Sequence, residues 1–216
     1  MTASKITPVP DGPLIVASPP DLSSANGPVE TGERAALCRC GASRTKPFCD
    51  GSHKAAGFSS APDAEHPRNR AIAYRAELEG VEVTVSYTPM LCSHAAECQR
   101  LAGAVFNPKA KPWCQPEHGT LESLRAVVAA CPSGALQLGE NAPATHLDPP
   151  PDLTSITVVP HGPYAVTNID LDAEFNGAGA SEAKYVLCRC GHSKNKPFCD
   201  GTHYDVTWRD DAEETA

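Results

Sequence analysis

Aromatic residues are scarce, at 6% of 216 positions, and the hydrophobic share is 41%. That is thin material for one large core, so several small units are expected. No apolar run approaches the roughly 18–20 residues of a membrane span, and no membrane association is expected. No early segment joins a basic stretch to an apolar one. The expectation is therefore a chain without a secretory signal, in the cytoplasm. Positive charge is also short: 18 Lys and Arg stand against 26 Asp and Glu, a net charge of −8. This argues against a general nucleic-acid binder and allows docking to a basic face on a partner protein. No nucleotide-binding glycine loop, flavin motif or catalytic triad stands out. Asn176-Gly177-Ala178-Gly179 lacks a strand-to-helix context and reads as a loop. The chain is not expected to be an enzyme.

Proline, glycine and cysteine are plentiful. Twenty-one prolines and 16 glycines describe a loop-rich protein of small units, which usually need staples. The ten cysteines are the obvious ones. Without export, disulfides are disfavoured and metal ligation is the better use of the thiols.

The chain repeats itself at an offset of 150 residues. Pro10-Asp11-Gly12-Pro13 aligns with Pro160-His161-Gly162-Pro163, and Leu37-Cys38-Arg39-Cys40-Gly41 recurs as Leu187-Cys188-Arg189-Cys190-Gly191. Lys46 to Gly51 recurs as Lys196 to Gly201, and His53 becomes His203. No gap is needed over roughly 48 positions, so this is a duplication with an insertion. The expected division is 1–66 for the first copy, 67–140 for the insert, 141–152 for a proline-rich linker and 153–216 for the second copy. The last, acidic residues are expected to fray.

Each copy should run as an extended segment (14–17, 164–169) followed by a short strand ending at the first cysteine (35–37, 184–187). Asp50 and Asp200 resemble N-caps of a short helix. In the insert, 72–76 and 81–87 predict a hairpin around Glu79-Gly80. Leu101–Phe106 reads as a short helix or turn. Thr120 to Ala130 predicts a helix with Thr120 as cap and Leu121, Leu124, Val127 and Val128 on one stripe.

The two outer sites have the spacing Cys-x-Cys, eight residues, Cys, three residues, His. Cys38 and Cys40 can hold one iron, because alternate residues leaving a strand into a turn can converge. Cys49 and His53 can hold another, because positions four apart share a helix face. Cys188, Cys190, Cys199 and His203 read the same way. Gly41 and Gly51 allow close backbone approach, Pro47 stiffens the entry to Cys49, and main-chain N–H groups after Asp50 can donate to an anionic cluster. Zinc is the main rival for three Cys and one His, although its paired cysteines usually lie two to four residues apart. Arg39, Arg189, Lys46 and Lys196 either tune the sites and steer partners or are solvated charges.

Cys-Arg-Cys-Gly-x-Ser-x-x-Lys-Pro-Phe-Cys-Asp-Gly-Ser/Thr-His is similar to the signature of the CDGSH iron–sulfur family, the mitoNEET-like proteins. All core positions of the motif are filled in both copies, about twenty residues in each. The resemblance implies a [2Fe–2S] cluster with three Cys ligands and one exposed His ligand, and units that pair with exchanged strands. No membrane anchor like that of the mitochondrial members is expected, so outer-membrane attachment is not carried over.

In the insert, Cys92-x5-Cys98 and a remote Cys131-Pro132 are similar to ferredoxin ligation with the central cysteine replaced by Ala95. Three thiolates suit a [3Fe–4S] cluster. With Pro112-Trp113 and Cys131-Pro132-Ser133-Gly134, the segment resembles the divergent single-cluster ferredoxin domain. Cys114 is either a buried free thiol or a fourth thiolate for [4Fe–4S]. His94 is either a ligand to the open corner or a group outside the site. His66, His118, His146, His161 and His192 read as surface residues.

The expected fold is a loop-rich α+β protein. Two small β-rich cluster units form an intrachain pseudo-dimer, and a small ferredoxin-like α+β insert separates them in sequence. The expected function is an iron–sulfur, soluble electron-transfer carrier or relay with two [2Fe–2S] clusters and one [3Fe–4S] cluster. It should act as a monomer serving a redox partner protein. The alternatives are cluster storage and transfer, or redox or acid sensing.

Overall fold

The computed structural model describes residues 4–61, 68–175 and 177–210. His66 and the tail beyond Asp210 lie outside the described residues. The first copy carries β1 (Lys5–Pro8), β2 (Leu14–Ala17), β3 (Asp21–Ser24), β4 (Gly27–Pro28) and β5 (Arg34–Leu37). The insert carries β6 (Ile72–Leu78), β7 (Val81–Tyr87), α1 (Glu97–Ala102), α2 (Leu121–Ala130) and β8 (Leu136–Glu140). The second copy carries β9 (Ser155–Val158), β10 (Tyr164–Thr167), β11 (Asp170–Leu171), β12 (Lys184–Leu187) and α3 (Thr202–Asp205).

The copies exchange strands. One sheet runs β11-β1-β2-β5 and the other β12-β10-β9-β3-β4. Strand β1 pairs in parallel with β11 of the second copy, and β9 pairs in parallel with β3 of the first. Alternate residues point inward, and they come from both copies. Ile6, Leu14, Val16 and Leu37 pack with Ile156, Tyr164, Val166 and Leu187 in one buried cluster. The intrachain pseudo-dimer therefore shares a single core.

The insert has its own sheet, β6-β7-β8, and its own core, with α2 placing Leu124, Val127 and Val128 against Val83, Val85 and Leu138. The hairpin turns at Glu79 and Gly80, φ 54° and 79°, the two left-handed positions of a tight primed turn. Thr120 caps α2 in a reciprocal capping box with Ser123. The expected helix or turn at 101–106 is instead α1, which starts earlier, at Glu97. The linker expected at 141–152 begins folded back on the insert: Thr145 bridges to Leu138, and Leu147 packs on the core.

The helix expected after Asp50 does not form, and its twin α3 begins at Thr202, one residue beyond Gly201. The motif aspartates tie their own loops instead. Asp50 Oδ1 accepts from Ser52 N–H and Asp200 Oδ1 from Thr202 N–H, both at 3.0 Å. Their Oδ2 atoms accept from Arg44 N–H and Lys194 N–H, again at 3.0 Å.

Candidate metal centres

Strands β5 and β12 deliver the Cys-x-Cys pairs. Cys38 Sγ lies 3.6 Å from Cys40 Sγ, and Cys188 Sγ lies 3.7 Å from Cys190 Sγ. Two thiolates about 2.3 Å from one tetrahedral metal stand roughly 3.8 Å apart, so each pair is spaced to grip one ion. Cys49 Sγ and Cys199 Sγ each lie 3.4 Å from Nδ1 of the histidine four residues on, His53 and His203. The second pair of each site thus uses the same nitrogen in both copies. Among the described residues no three Cys, His, Asp or Glu side chains converge as around a single ion. Each outer site is two pairs side by side.

Backbone N–H groups surround the sulfurs. Gly51 N–H donates to Cys49 Sγ, Gly201 N–H to Cys199 Sγ and His192 N–H to Cys190 Sγ, all at 3.4 Å. In each Cys-x-Cys pair one thiol donates to the other. That donation lowers Cys38 to about 6 and Cys188 to about 7, while Cys40 and Cys190 are pushed up by their partners. A bound metal would take the place of the shared proton. The donor set fits an anionic, thiolate-rich group.

The arginines of the motif are neither steering charges nor solvated ones. Arg39 is 4% exposed and Arg189 1%. Arg39 donates to the carbonyls of Gly12 and Val9, and Arg189 to those of Gly162 and Val159. Each guanidinium fastens its site to the turn before the second strand of its copy, under an aromatic ring from farther along: Phe58 at 5.3 Å, Trp208 at 5.0 Å. Arg189 also pairs with buried Asp210. The lysines are held too, Lys46 3.8 Å from Asp210 and Lys196 donating to Ser193 O at 2.7 Å. Sequence reading missed this role because a cation flanked by two cysteines carries no burial signal of its own.

The sites lie back to back. A Cβ on Gly41 would stand 2.5 Å from Cys190 O, and one on Gly191 2.6 Å from Cys40 O. They are not equally open. Cys188, Cys190 and Cys199 are buried, whereas Cys40 and Cys49 are half-buried. His203 is 6% exposed, against the exposed ligand that the resemblance implied, and burial lowers its pKa. Its twin His53 is half-buried. His203 borders a cleft of about 710 Å³ shared with His94, His161 and Arg209.

In the insert, Cys92 follows a 3-10 turn, Cys98 sits in α1 and Cys131 closes α2. All three line one cavity, together with Tyr87 and Trp113. Burial raises the pKa of Cys92 and brings Cys98 up to about 11. Cys114 does not line that cavity. It is 1% exposed, bridged to Phe106 in the apolar core, and burial lifts it to about 12. His94 is outside that lining but borders an adjoining cavity of about 600 Å³ with Cys92 and Cys98, and its ring centroid lies 5.7 Å from that of Tyr204.

Of the remaining histidines, His118 and His192 are exposed. His161 is exposed with Nδ1 accepting from Asp210 N–H, and half-buried His146 holds Gly134 O at 2.9 Å. One link was not foreseen. Lys184 is 4% exposed and donates to Val128 O, Ala129 O and Leu147 O, clamping the C-terminal end of α2, next to Cys131, onto β12, next to Cys188.

Comparison with known proteins agrees with this layout. The family model described as "Iron-binding zinc finger CDGSH type" matches residues 11–54 and again 161–204. A second model, "Divergent 4Fe-4S mono-cluster", matches residues 78–141. Uncharacterized protein YjdI of Escherichia coli K12 is 36% identical over 58 residues, 27% of this chain and 76% of the relative. The protein of the same name from Escherichia coli O157:H7 matches to the same extent. No solved structure gave a significant match. No helix among the described residues is long and apolar enough to cross a membrane.

Proposed function

The chain belongs to the CDGSH-type iron-binding family, carrying its domain twice around a divergent 4Fe-4S mono-cluster domain, and from that premise we propose that it is an electron-transfer relay. Cys38, Cys40, Cys49 and His53 would hold one [2Fe–2S] cluster, and Cys188, Cys190, Cys199 and His203 another. Cys92, Cys98 and Cys131 would hold a [3Fe–4S] cluster. The name of the matching model points to four irons, but Ala95 stands where the central cysteine of a ferredoxin triplet would be. Cys114 lies outside the cavity and so supports three thiolates over four.

When bound, such clusters supply one-electron chemistry at potentials set by net charge and by hydrogen bonds to sulfur. The chain's own residues do the tuning. Main-chain N–H groups donate to Cys49, Cys190 and Cys199, a neutral imidazole takes the place of one thiolate in each outer site, and Tyr87 lines the middle cavity beside Cys92. The observation that carries the reading is contiguity. The two outer ligand loops touch backbone to backbone, and the insert's ligand loop touches the second of them. Three sites joined in series, first copy to second copy to insert, suit the passage of electrons better than the storage or release of clusters. The division into copies at 1–66 and 153–216, with the insert at 67–140 and a linker at 141–152, is part of the same proposal. So are cytoplasmic placement, a monomeric state, the absence of an enzymatic activity and a protein redox partner.

The test is reversible reduction of the purified holoprotein by a reduced one-electron carrier protein, against incubation with an apo-ferredoxin. Repeated reduction and reoxidation with all clusters retained supports the relay. Passage of clusters to the apo-protein at the rate of their loss from the chain would instead favour storage and transfer.

A further inference from the structure

Gly51 and Gly201 occupy the same place in the two copies and share one backbone conformation, φ +87° and +86°. Their surroundings differ. A Cβ on Gly51 would meet nothing within 4 Å. A Cβ on Gly201 would stand 2.2 Å from His94 Cδ2, 2.7 Å from His94 Nε2 and 2.9 Å from Cys92 O. On its other side Gly201 donates its N–H to Cys199 Sγ at 3.4 Å. One glycine thus touches a ligand of the C-terminal outer site and the backbone of a ligand of the middle site.

The contact is built, not incidental. Arg68 Nη2, at the start of the insert, donates to Asp200 O at 3.2 Å. The Tyr204 ring lies 5.7 Å from His94 and 5.7 Å from His203. Thr88 Oγ1 donates to Ala178 O at 2.5 Å, and Lys184 clamps the other end of the seam. Each of these contacts places the insert against the second copy. Asp200 is 0% exposed and Cys199 2%, while their twins Asp50 and Cys49 are exposed and half-buried.

We propose that Gly201 and His94 form a coupling contact that makes the middle site and the C-terminal outer site a communicating pair. The N-terminal outer site reaches the middle one only through the second copy. The proposal rests on the three-cluster reading above. Coulomb coupling grows as solvent is excluded. Cys199 and Gly201 are buried on one side of the contact while His94 borders solvent on the other, so a unit change of charge passes through Gly201 and the Cys92 carbonyl more strongly than around the open first copy. His94 is a positioning residue: its ring, open to solvent on one side, lies against Gly201 and sets how Cys92 and Cys199 face each other.

The test follows the middle site's reduction potential and electron-spin relaxation in the full holoprotein. Cys199→Ser, which removes the C-terminal cluster, should shift that potential and slow the relaxation. Gly201→Ala forces His94 aside and should weaken the coupling. Gly51→Ala carries the same backbone strain with nothing to push against, so only the N-terminal site should change. Should Gly201→Ala fail to load its clusters, His94→Ala decides, with loss of relaxation enhancement as the expected result. A middle-site signal that ignores Cys199→Ser, or that responds alike to both glycine variants, overturns the coupling while leaving the clusters in place. A wild-type protein with no iron–sulfur chromophore overturns the reading beneath it instead.

Discussion

The hydroxyl of Tyr164, on the second copy, donates to the carbonyl oxygen of Cys38, in the first, at 2.8 Å. It also donates to Pro47 O at 3.0 Å, from a side chain that is fully buried. Its repeat twin is Leu14, so the second copy steadies the first copy's ligand loop and receives no such bond in return. Tyr164→Phe should leave the Cys38 carbonyl short of a donor, Pro47 O keeping the Cys38 N–H, at a cost of about 1–3 kcal/mol. Thermal melts of the holoprotein should show the loss, and the N-terminal site should release its metal faster while the C-terminal site holds.

The motif arginines should not be equivalent. Arg39→Leu removes bonds to two carbonyls, whereas Arg189→Leu also takes the guanidinium from the buried carboxylate of Asp210 and leaves Lys46 at 3.8 Å beside it. Breaking a buried pair from one side costs about 3–5 kcal/mol. Arg189→Leu should therefore lower stability well beyond Arg39→Leu in parallel melts. A double variant with Asp210→Asn should recover part of the difference. Equal losses in the two single variants would mean that the Asp210 pair contributes little.

Much of this was legible because it is local. The duplication, the ligand spacings, the hairpin and α2 are written in short-range pattern, and α2 came with its cap at Thr120. Strand exchange was implied by the family resemblance, but the strands that carry it were not legible in the residues. Lys5–Pro8 and Ser155–Val158 are four residues each and gain their meaning from parallel partners far away in the chain. The buried roles of Arg39, Arg189 and Lys184 were hidden for a related reason: a charge is buried by its surroundings, and a sequence does not display them. The difference between His53 and His203 could not appear in a motif that is the same in both copies. It arises where the insert packs on the second copy, against Asp200 and Gly201.

That difference predicts an order of loss. A chelator or mild acid should remove the cluster at Cys49 and His53 first, because solvent reaches half-buried Cys49 and His53 but not Cys199, which is 2% exposed. Optical decay of the wild type should be biphasic in the outer-cluster band. Cys49→Ser should abolish the fast phase and Cys199→Ser the slow one. His53→Cys adds a negative thiolate, so it should lower that cluster's potential. A single phase shared by both outer clusters would contradict the asymmetry.

Cys114 separates three thiolates from four. Cys114→Ser should keep the middle cluster and its signal. Cys92→Ser, Cys98→Ser and Cys131→Ser should each lose it. If Cys114→Ser alone abolishes the signal, the middle site is a four-thiolate one.

Iron and acid-labile sulfide, quantified together with EPR on protein purified without air, test the central claim most directly. Two [2Fe–2S] clusters and one [3Fe–4S] cluster give about seven irons and eight sulfides per chain. The account predicts those contents, with a signal from the middle site in the oxidised protein and further signals on reduction. A colourless protein holding stoichiometric zinc and no labile sulfide would contradict it.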